Sequence, residues 1–187
     1  LTHMEKLENR KWKVLSSEYL AHEPWFTVRR ERVQLPNGNT VPNWYVFEFP
    51  TWIDVIAITR EGKFVMISQY RHALGETHYE LPAGVCDPTD ASPEEAARRE
   101  LLEETGYGNG NWSLFMTVSP NPTNHTNMSY TFLATDVEPI SQQHTEPTED
   151  IRIDLLAESE VQELLESGEI VQALHAAPLW KYFAQKR

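Results

Sequence analysis

The stretch Gly84-Val-Cys-Asp-Pro-Thr-Asp-Ala-Ser-Pro-Glu-Glu-Ala-Ala-Arg-Arg-Glu-Leu-Leu-Glu-Glu-Thr-Gly-Tyr107 constrains this chain more than any other. Ser92 stands where a helix N-cap belongs, Pro93 suits the first helical position, and Glu95 follows the serine by three residues, so a capping box starts a helix there. Gly106 supplies the stop. At about 100° per residue, Glu100, Glu103 and Glu104 fall within an arc of about 100° on one helical face. Like charges four residues apart destabilise a helix by a few tenths of a kcal/mol. A hard divalent cation reverses that cost, because Mg²⁺ and Mn²⁺ take carboxylate oxygens. The plain alternative is a solvated acidic face.

The segment resembles the Nudix box, G-x5-E-x7-R-E-U-x-E-E-x-G-U, with U an apolar residue. Arg99-Glu100-Leu101-Leu102-Glu103-Glu104-Thr105-Gly106-Tyr107 matches its second half in order. Five fixed residues at fixed spacing are a poor match to a merely solvated helix. The first half departs from the pattern: Ala91 stands eight residues before Arg99, and Gly84 lies one residue too far away. The loop is one residue longer, with Asp90 beside the place of the first glutamate.

The flanks narrow the resemblance. Gln69-Tyr70-Arg71, Glu80-Leu81-Pro82-Ala83-Gly84, Ser119-Pro120-Asn121-Pro122 and Glu149-Asp150-Ile151 are similar to the ADP-ribose pyrophosphatase branch, and the likeness runs from Trp44 to Phe183. It implies an α/β fold, a Nudix α/β/α sandwich with a mixed sheet preceded by a small N-terminal antiparallel β-sheet unit. It also implies metal-dependent hydrolysis of the diphosphate bond of nucleoside diphosphate sugars, giving nucleoside monophosphate and sugar phosphate. Nucleoside triphosphates, dinucleoside polyphosphates or RNA 5′ ends are the alternative substrates. A non-catalytic ligand sensor is a third reading, opposed by the presence of all three glutamates.

Composition agrees with a well-packed enzyme. At 187 residues the chain exceeds the length at which a domain buries roughly 70% of its unfolded surface. No apolar run approaches the roughly 20 residues that span a bilayer, and no signal peptide is visible, so a cytoplasmic place is expected. Leu1-Thr-His-Met4 reads as an appended stretch ahead of a native start at Met4. One cysteine, Cys86, rules out an internal disulfide framework and is expected to be a structural thiol. A net charge of −12, with sixteen scattered basic residues, argues against nucleic acid as a partner. A small phosphorylated substrate remains compatible, because a bound cation inverts the local electrostatics.

Hydrophobic period and turn residues order the rest. Strands are expected at Lys11 to Leu20, Trp25 to Leu35 and Thr40 to Phe49, the last two joined by the Pro36-Asn-Gly-Asn39 turn. Residues 5–50 are expected to form an N-terminal β-strand unit, which the resemblance implies serves base stacking and dimerisation, ahead of a Nudix domain at residues 51–187. Trp52 to Thr59 and Phe64 to Tyr70 form a hairpin around Arg60-Glu-Gly-Lys63. Strands near Trp112–Val118, Ser129–Thr135 and Ile151–Leu155 follow, then helices from Ala157 to Glu166 and from Ile170 to Gln185.

Roles follow from the resemblance. Glu100 and Glu104, with the Ala83 carbonyl, are metal ligands for Mg²⁺ or Mn²⁺. Glu103 is a further ligand or orders the attacking water, Arg99 holds the glutamates in place, and Glu149 is a third carboxylate ligand. The general base is Glu146, in the acidic loop His144-Thr-Glu-Pro-Thr-Glu-Asp150, or else Glu103. Arg71 is the diphosphate clamp, since a planar guanidinium grips phosphate bidentately; the plain reading is a surface ion pair. Glu80 contacts the sugar end or braces the loop. Trp25, Phe26, Trp44 and Tyr45 are candidates for stacking the base, although each taken singly is better explained as core. Asn121, Thr123, Asn124 and Asn127 offer polar donors, and His125 receives no role. The branch is typically homodimeric, so a homodimer acting on a small nucleoside diphosphate sugar is expected.

Overall fold

The computed structural model describes residues 7–186, so the stretch at Leu1 to Met4 and the extreme ends of the two expected domains lie outside the described residues. The chain divides into two compact units: one reaches to Phe49 and includes Asn121–Thr126, the other holds Pro50–Pro120 and the residues from Asn127 onward.

The first unit is a three-stranded antiparallel sheet in the order β1 (Lys13–Glu23), β2 (Phe26–Gln34), β3 (Thr40–Glu48). Trp25, expected to begin a strand, instead sits in the turn between β1 and β2 at φ 64°. Pro24 before it has no N–H to donate to a ladder, which favours a turn there. The Asn37-Gly38 turn closes β2 onto β3: Leu35 N–H donates to Asn39 O at 2.8 Å, and Gly38 N–H donates to Leu35 O at 2.9 Å. Asn121–Thr126 joins this unit through Phe47, whose N–H donates to Asn124 O at 2.7 Å and whose carbonyl accepts from Thr126 N–H at 3.1 Å.

The second unit is built on a mixed sheet in the order β11 (Ile151–Leu156), β5 (Phe64–Arg71), β4 (Trp52–Thr59), β10 (Ser129–Pro139), β8 (Tyr107–Gly108). Three further strands attach to it: β6 (Glu76–Glu80) to β5, β7 (Ala83–Val85) to β4, and β9 (Asn111–Val118) to β10. β4 and β10 run parallel and the remaining pairs antiparallel. The helices are α1 (Pro93–Thr105), α2 (Glu158–Ser167) and α3 (Ala173–Gln185).

Strand alternation divides the core into two faces. Ile53, Val55 and Ala57 of β4 pack with Ala96, Ala97 and Leu101 of α1, whereas Ile56 and Ile58 pack with Val161 and Leu165 of α2 and Leu179 and Phe183 of α3. A sheet covered by helices on both faces reads in sequence as a continuous apolar strand, as Trp52–Thr59 does. This is the α/β/α sandwich with a preceding antiparallel sheet that the sequence led us to expect. The short β6, β7 and β8 were not anticipated, because two to five residues carry too little alternation to read as a period.

Candidate active site

Local chemistry sets both ends of α1. The Ser92 hydroxyl accepts from Glu95 N–H at 3.2 Å, and Gly106 closes the helix at φ 73° with its N–H on Leu102 O. One turn of the loop before the helix is pinned in the same way: Asp87 accepts from Thr89 N–H and Oγ1, while Asp90 accepts from Asp87 N–H. The longer loop therefore ends in a fixed geometry that turns Asp90 toward the helix.

Asp90 is met there by Arg99. The guanidinium donates to both Asp90 oxygens (Nε 3.1 Å, Nη2 2.9 Å), to Val85 O (3.1 Å), to Glu100 Oε1 (2.9 Å) and to Glu103 Oε2 (3.1 Å). One planar cation thus ties loop, β7 and helix together by charge-assisted bonds. Those bonds hold the Asp90 carboxyl below the usual carboxylate range. The aspartate one position off the box pattern bonds the box arginine directly.

The glutamates converge on β7. Glu104 is buried, and its Oε2 accepts from Ala83 N–H at 2.9 Å. Glu100 lies against Gly84: a Cβ built there would sit inside contact distance of the Glu100 Cδ and Oε1 and 2.6 Å from Oε2. Burial pushes the Glu104 carboxyl up to about 9, and the charges of Glu100, Glu149 and Glu80 add to the rise, against the opposing bond from Ala83. Burial also raises Glu100, with Glu103 and Glu149 contributing and Arg99 opposing. Glu149 of the acidic loop is therefore felt by both helix carboxylates.

That loop is fastened to the end of α1. His144 N–H donates to Glu103 O at 2.8 Å, and Ile140 and Ser141 N–H share Gly106 O. The Gln143 amide bridges Glu104 O (2.8 Å) and Ile151 O (2.9 Å). Within the loop, Glu146 N–H donates to Glu149 Oε2 at 2.9 Å, and the Glu146 side chain is exposed. Glu103 is also largely solvated, apart from its bond to Arg99.

The donor set is uniformly oxygen, which suits Mg²⁺ or Mn²⁺. Two carboxylates raised by burial and by neighbouring carboxylates are groups that a cation would return to their charged form. Gly84 leaves the room at Glu100 that a side chain would fill. The residues fit such an ion. Among the described residues no three acidic, His or Cys side chains already enclose an ion site, and Arg99 supplies the positive charge between Glu100 and Glu103.

Arg71 and Glu80 form a bidentate pair, Nε to Oε1 at 2.7 Å and Nη2 to Oε2, with Glu80 buried and Arg71 half exposed. Trp25, Phe26, Trp44, Tyr45 and Asn121 belong to the first unit. Trp25, Phe26 and Tyr45 are exposed, and Trp44 makes an edge contact with Trp12 at 5.1 Å. Sequence reasoning passed over Asp54, the one acid in the apolar run of β4. It is buried beside Ala83 in register, its Oδ1 has no partner, and burial lifts it to about 7 despite the Thr131 and Ser129 hydroxyls. A charged residue interrupting Trp-Ile-Asp-Val-Ile-Ala-Ile was the signal available.

The geometry agrees with the comparisons. The NUDIX domain matches residues 49–175, and a nucleoside diphosphate sugar hydrolase N-terminal domain matches residues 12–47. The chain belongs to the Nudix family of hydrolases. The ADP-ribose pyrophosphatase of Mycobacterium tuberculosis is 29% identical over 167 residues, covering 89% of this chain and 80% of its own. The ADP-ribose pyrophosphatase of Bacillus subtilis is 32% identical over 145 residues, 76% of this chain and 77% of that protein. A crystal structure of an ADP compounds hydrolase has the same fold, with a TM-score of 0.80 over 94% of each chain at 24% identity.

Proposed function

We propose that this enzyme is a divalent-cation-dependent pyrophosphohydrolase that cleaves the diphosphate bond of nucleoside diphosphate sugars of the ADP-ribose type, releasing nucleoside monophosphate and sugar phosphate. The observation that carries the reading is the buried Glu104 and the part-buried Glu100 against β7, one on Ala83 N–H and the other in the space Gly84 leaves, with the charge of Glu149 acting on both. The match of residues 12–47 to a nucleoside diphosphate sugar hydrolase N-terminal domain and the likeness to two ADP-ribose pyrophosphatases support the substrate class.

Glu100, Glu104, Glu149 and the Ala83 carbonyl would hold Mg²⁺ or Mn²⁺, which neutralises phosphate oxygens and lowers the pKa of a bound water. Arg99 keeps Glu100 and Glu103 oriented from behind. Glu146 takes the proton of the attacking water; Glu103 is the other carboxylate able to do so. Arg71, already aligned by Glu80, steadies the diphosphate. Trp25, Phe26, Trp44 and Tyr45 present aromatic faces for the base, and Asn121 an amide for its polar groups. The enzyme works as a homodimer in the cytoplasm; among the described residues no helix is long and apolar enough to cross a membrane.

The test is hydrolysis of ADP-ribose, ADP-glucose, GDP-mannose, UDP-glucose, a nucleoside triphosphate and NADH with Mg²⁺ or Mn²⁺, with products resolved by chromatography. Nucleoside monophosphate plus sugar phosphate from a diphosphate sugar, lost in Glu104→Gln, is the expected result. Turnover of the triphosphate alone would move the enzyme to nucleotide-pool chemistry. Tight binding of ADP-ribose without turnover would make it a sensor.

A further inference from the structure

Strands β11, β5 and β6 have two faces, and only one belongs to the carboxylate site. The ladders set Ser68 opposite Tyr79, Tyr70 opposite Thr77, and Arg152 opposite Ser68. Side chains opposite one another in a ladder share a face. Tyr79 and Leu156 pack into the core under α2 and α3, whereas Ile153 packs into the core under α1. Alternation therefore places Ser68, Tyr70, Thr77, Tyr79 and Arg152 on the α2/α3 face, and Arg71, Glu80 and Ile151 on the other.

On that second face lies a cavity of about 310 Å³, lined by these five residues with Asp150 and parts of Gln69 and His78. None of them has a role in the reaction proposed above. The volume is at the small end of the roughly 300–1,000 Å³ typical of small-molecule sites, which suits a single ring better than a nucleotide. Four hydroxyls, from Ser68, Tyr70, Thr77 and Tyr79, each donate and accept. Tyr70 is exposed.

The charges decide what can bind. Arg152 is matched by Asp154, Nη2 to Oδ1 at 2.9 Å and Nε to Oδ2 at 3.3 Å, and Ser68 Oγ donates to the same Oδ2 at 3.1 Å. The Tyr79 hydroxyl also contacts the guanidinium. Asp150 adds a second carboxylate with no second cation in the lining. A phosphate would meet no net positive charge here. A neutral ring bearing several hydroxyls would find an acceptor carboxylate, a fork of N–H donors and hydroxyls able to act in either sense.

We propose that this cavity is a second ligand site, for a neutral polyhydroxylated ring of monosaccharide size, on the face of β11, β5 and β6 opposite to Arg71 and Glu80. It stands independently of the reaction and substrate proposed above.

Saturation-transfer NMR with D-ribose and D-glucose on the full chain tests it. The expected result is saturable binding of at least one sugar, weakened about tenfold by Arg152→Leu, as loss of one charge-assisted bond requires. Thr77→Val should also weaken it, while Glu100→Gln, on the opposite face, leaves it unchanged. Arg152 and Thr77 are exposed, so these variants keep the fold, and circular dichroism melting confirms that. Absence of saturable binding for both sugars would overturn the proposal. So would binding abolished by Glu100→Gln but indifferent to Arg152→Leu, or displacement of the sugar by inorganic phosphate.

Discussion

Gly84 is a glycine because Glu100 occupies the space a side chain would take. Gly84→Ala must push the Glu100 carboxylate away from β7, and a displacement near 1 Å at a catalytic group costs on the order of 10²-fold in rate. A loss of that size in kcat/KM, with the melting temperature nearly kept, is the expected outcome in steady-state kinetics. Glu104 carries its own prediction. Its carboxyl is raised to about 9, so at pH 7 a cation must displace a proton to bind. Mg²⁺ affinity should rise as pH increases toward 9, with proton uptake by the buffer seen in calorimetry, and Glu104→Gln should abolish that proton release. Asp54 works on stability. Its folded carboxyl stands at about 7 against an ordinary 3.8, so the folded state holds an extra proton between those values. The associated stability is complete below pH 3.8 and is lost as pH rises to 7, by up to about 4 kcal/mol. Asp54→Asn should flatten that window in urea unfolding and leave the variant more stable than the parent at pH 8.

At the scale of elements, the C-terminus of α1 serves two purposes. Gly106 ends the helix in the left-handed region, and its carbonyl receives the N–H groups of Ile140 and Ser141, which start the acidic loop. A Cβ at this position would collide with Ser141 O. Gly106→Ala therefore meets the left-handed penalty of about 1–2 kcal/mol and the clash together. The melting temperature should fall by several degrees. Faster hydrogen exchange at His144, whose amide is otherwise held by Glu103 O, should accompany the fall. The fold was legible wherever a segment was long enough to show a period or carried its own cap. Ser92, Pro93 and Gly106 announced α1, alternation and the Asn37-Gly38 turn announced β2 and β3, and a short apolar run after Arg60-Glu-Gly-Lys63 announced β5. Trp25 was misplaced because its left-handed turn follows from the meeting of β1 and β2, at which Pro24 was a local hint that went unused.

At the scale of the molecule, the dimer is testable. Val14, Leu15, Tyr19, Leu20, Trp25 and Phe26 are all exposed in the first unit, more apolar surface than scattered single residues account for. Light scattering should return twice the 21.6 kDa of the chain, and Leu20→Glu combined with Tyr19→Lys should halve it. A parent chain that is monomeric at micromolar concentration would refute the shared assembly. The capped start, the glycine stop and three glutamates at helical spacing determined α1 and its oxygen-rich face, because each rests on contacts within a turn or two of one helix, and the resemblance of Arg99 to Tyr107 to the Nudix box pointed to the family and its reaction class. Distance along the chain hides the rest. Only the folded molecule lets the charge of Glu149 act on Glu100 and Glu104, turns Asp90 onto Arg99, pairs Arg71 with Glu80 and buries Asp54 beside Ala83. Those relations depend on which strands lie side by side and which face of each is covered, and that is decided by packing two helix layers against one sheet.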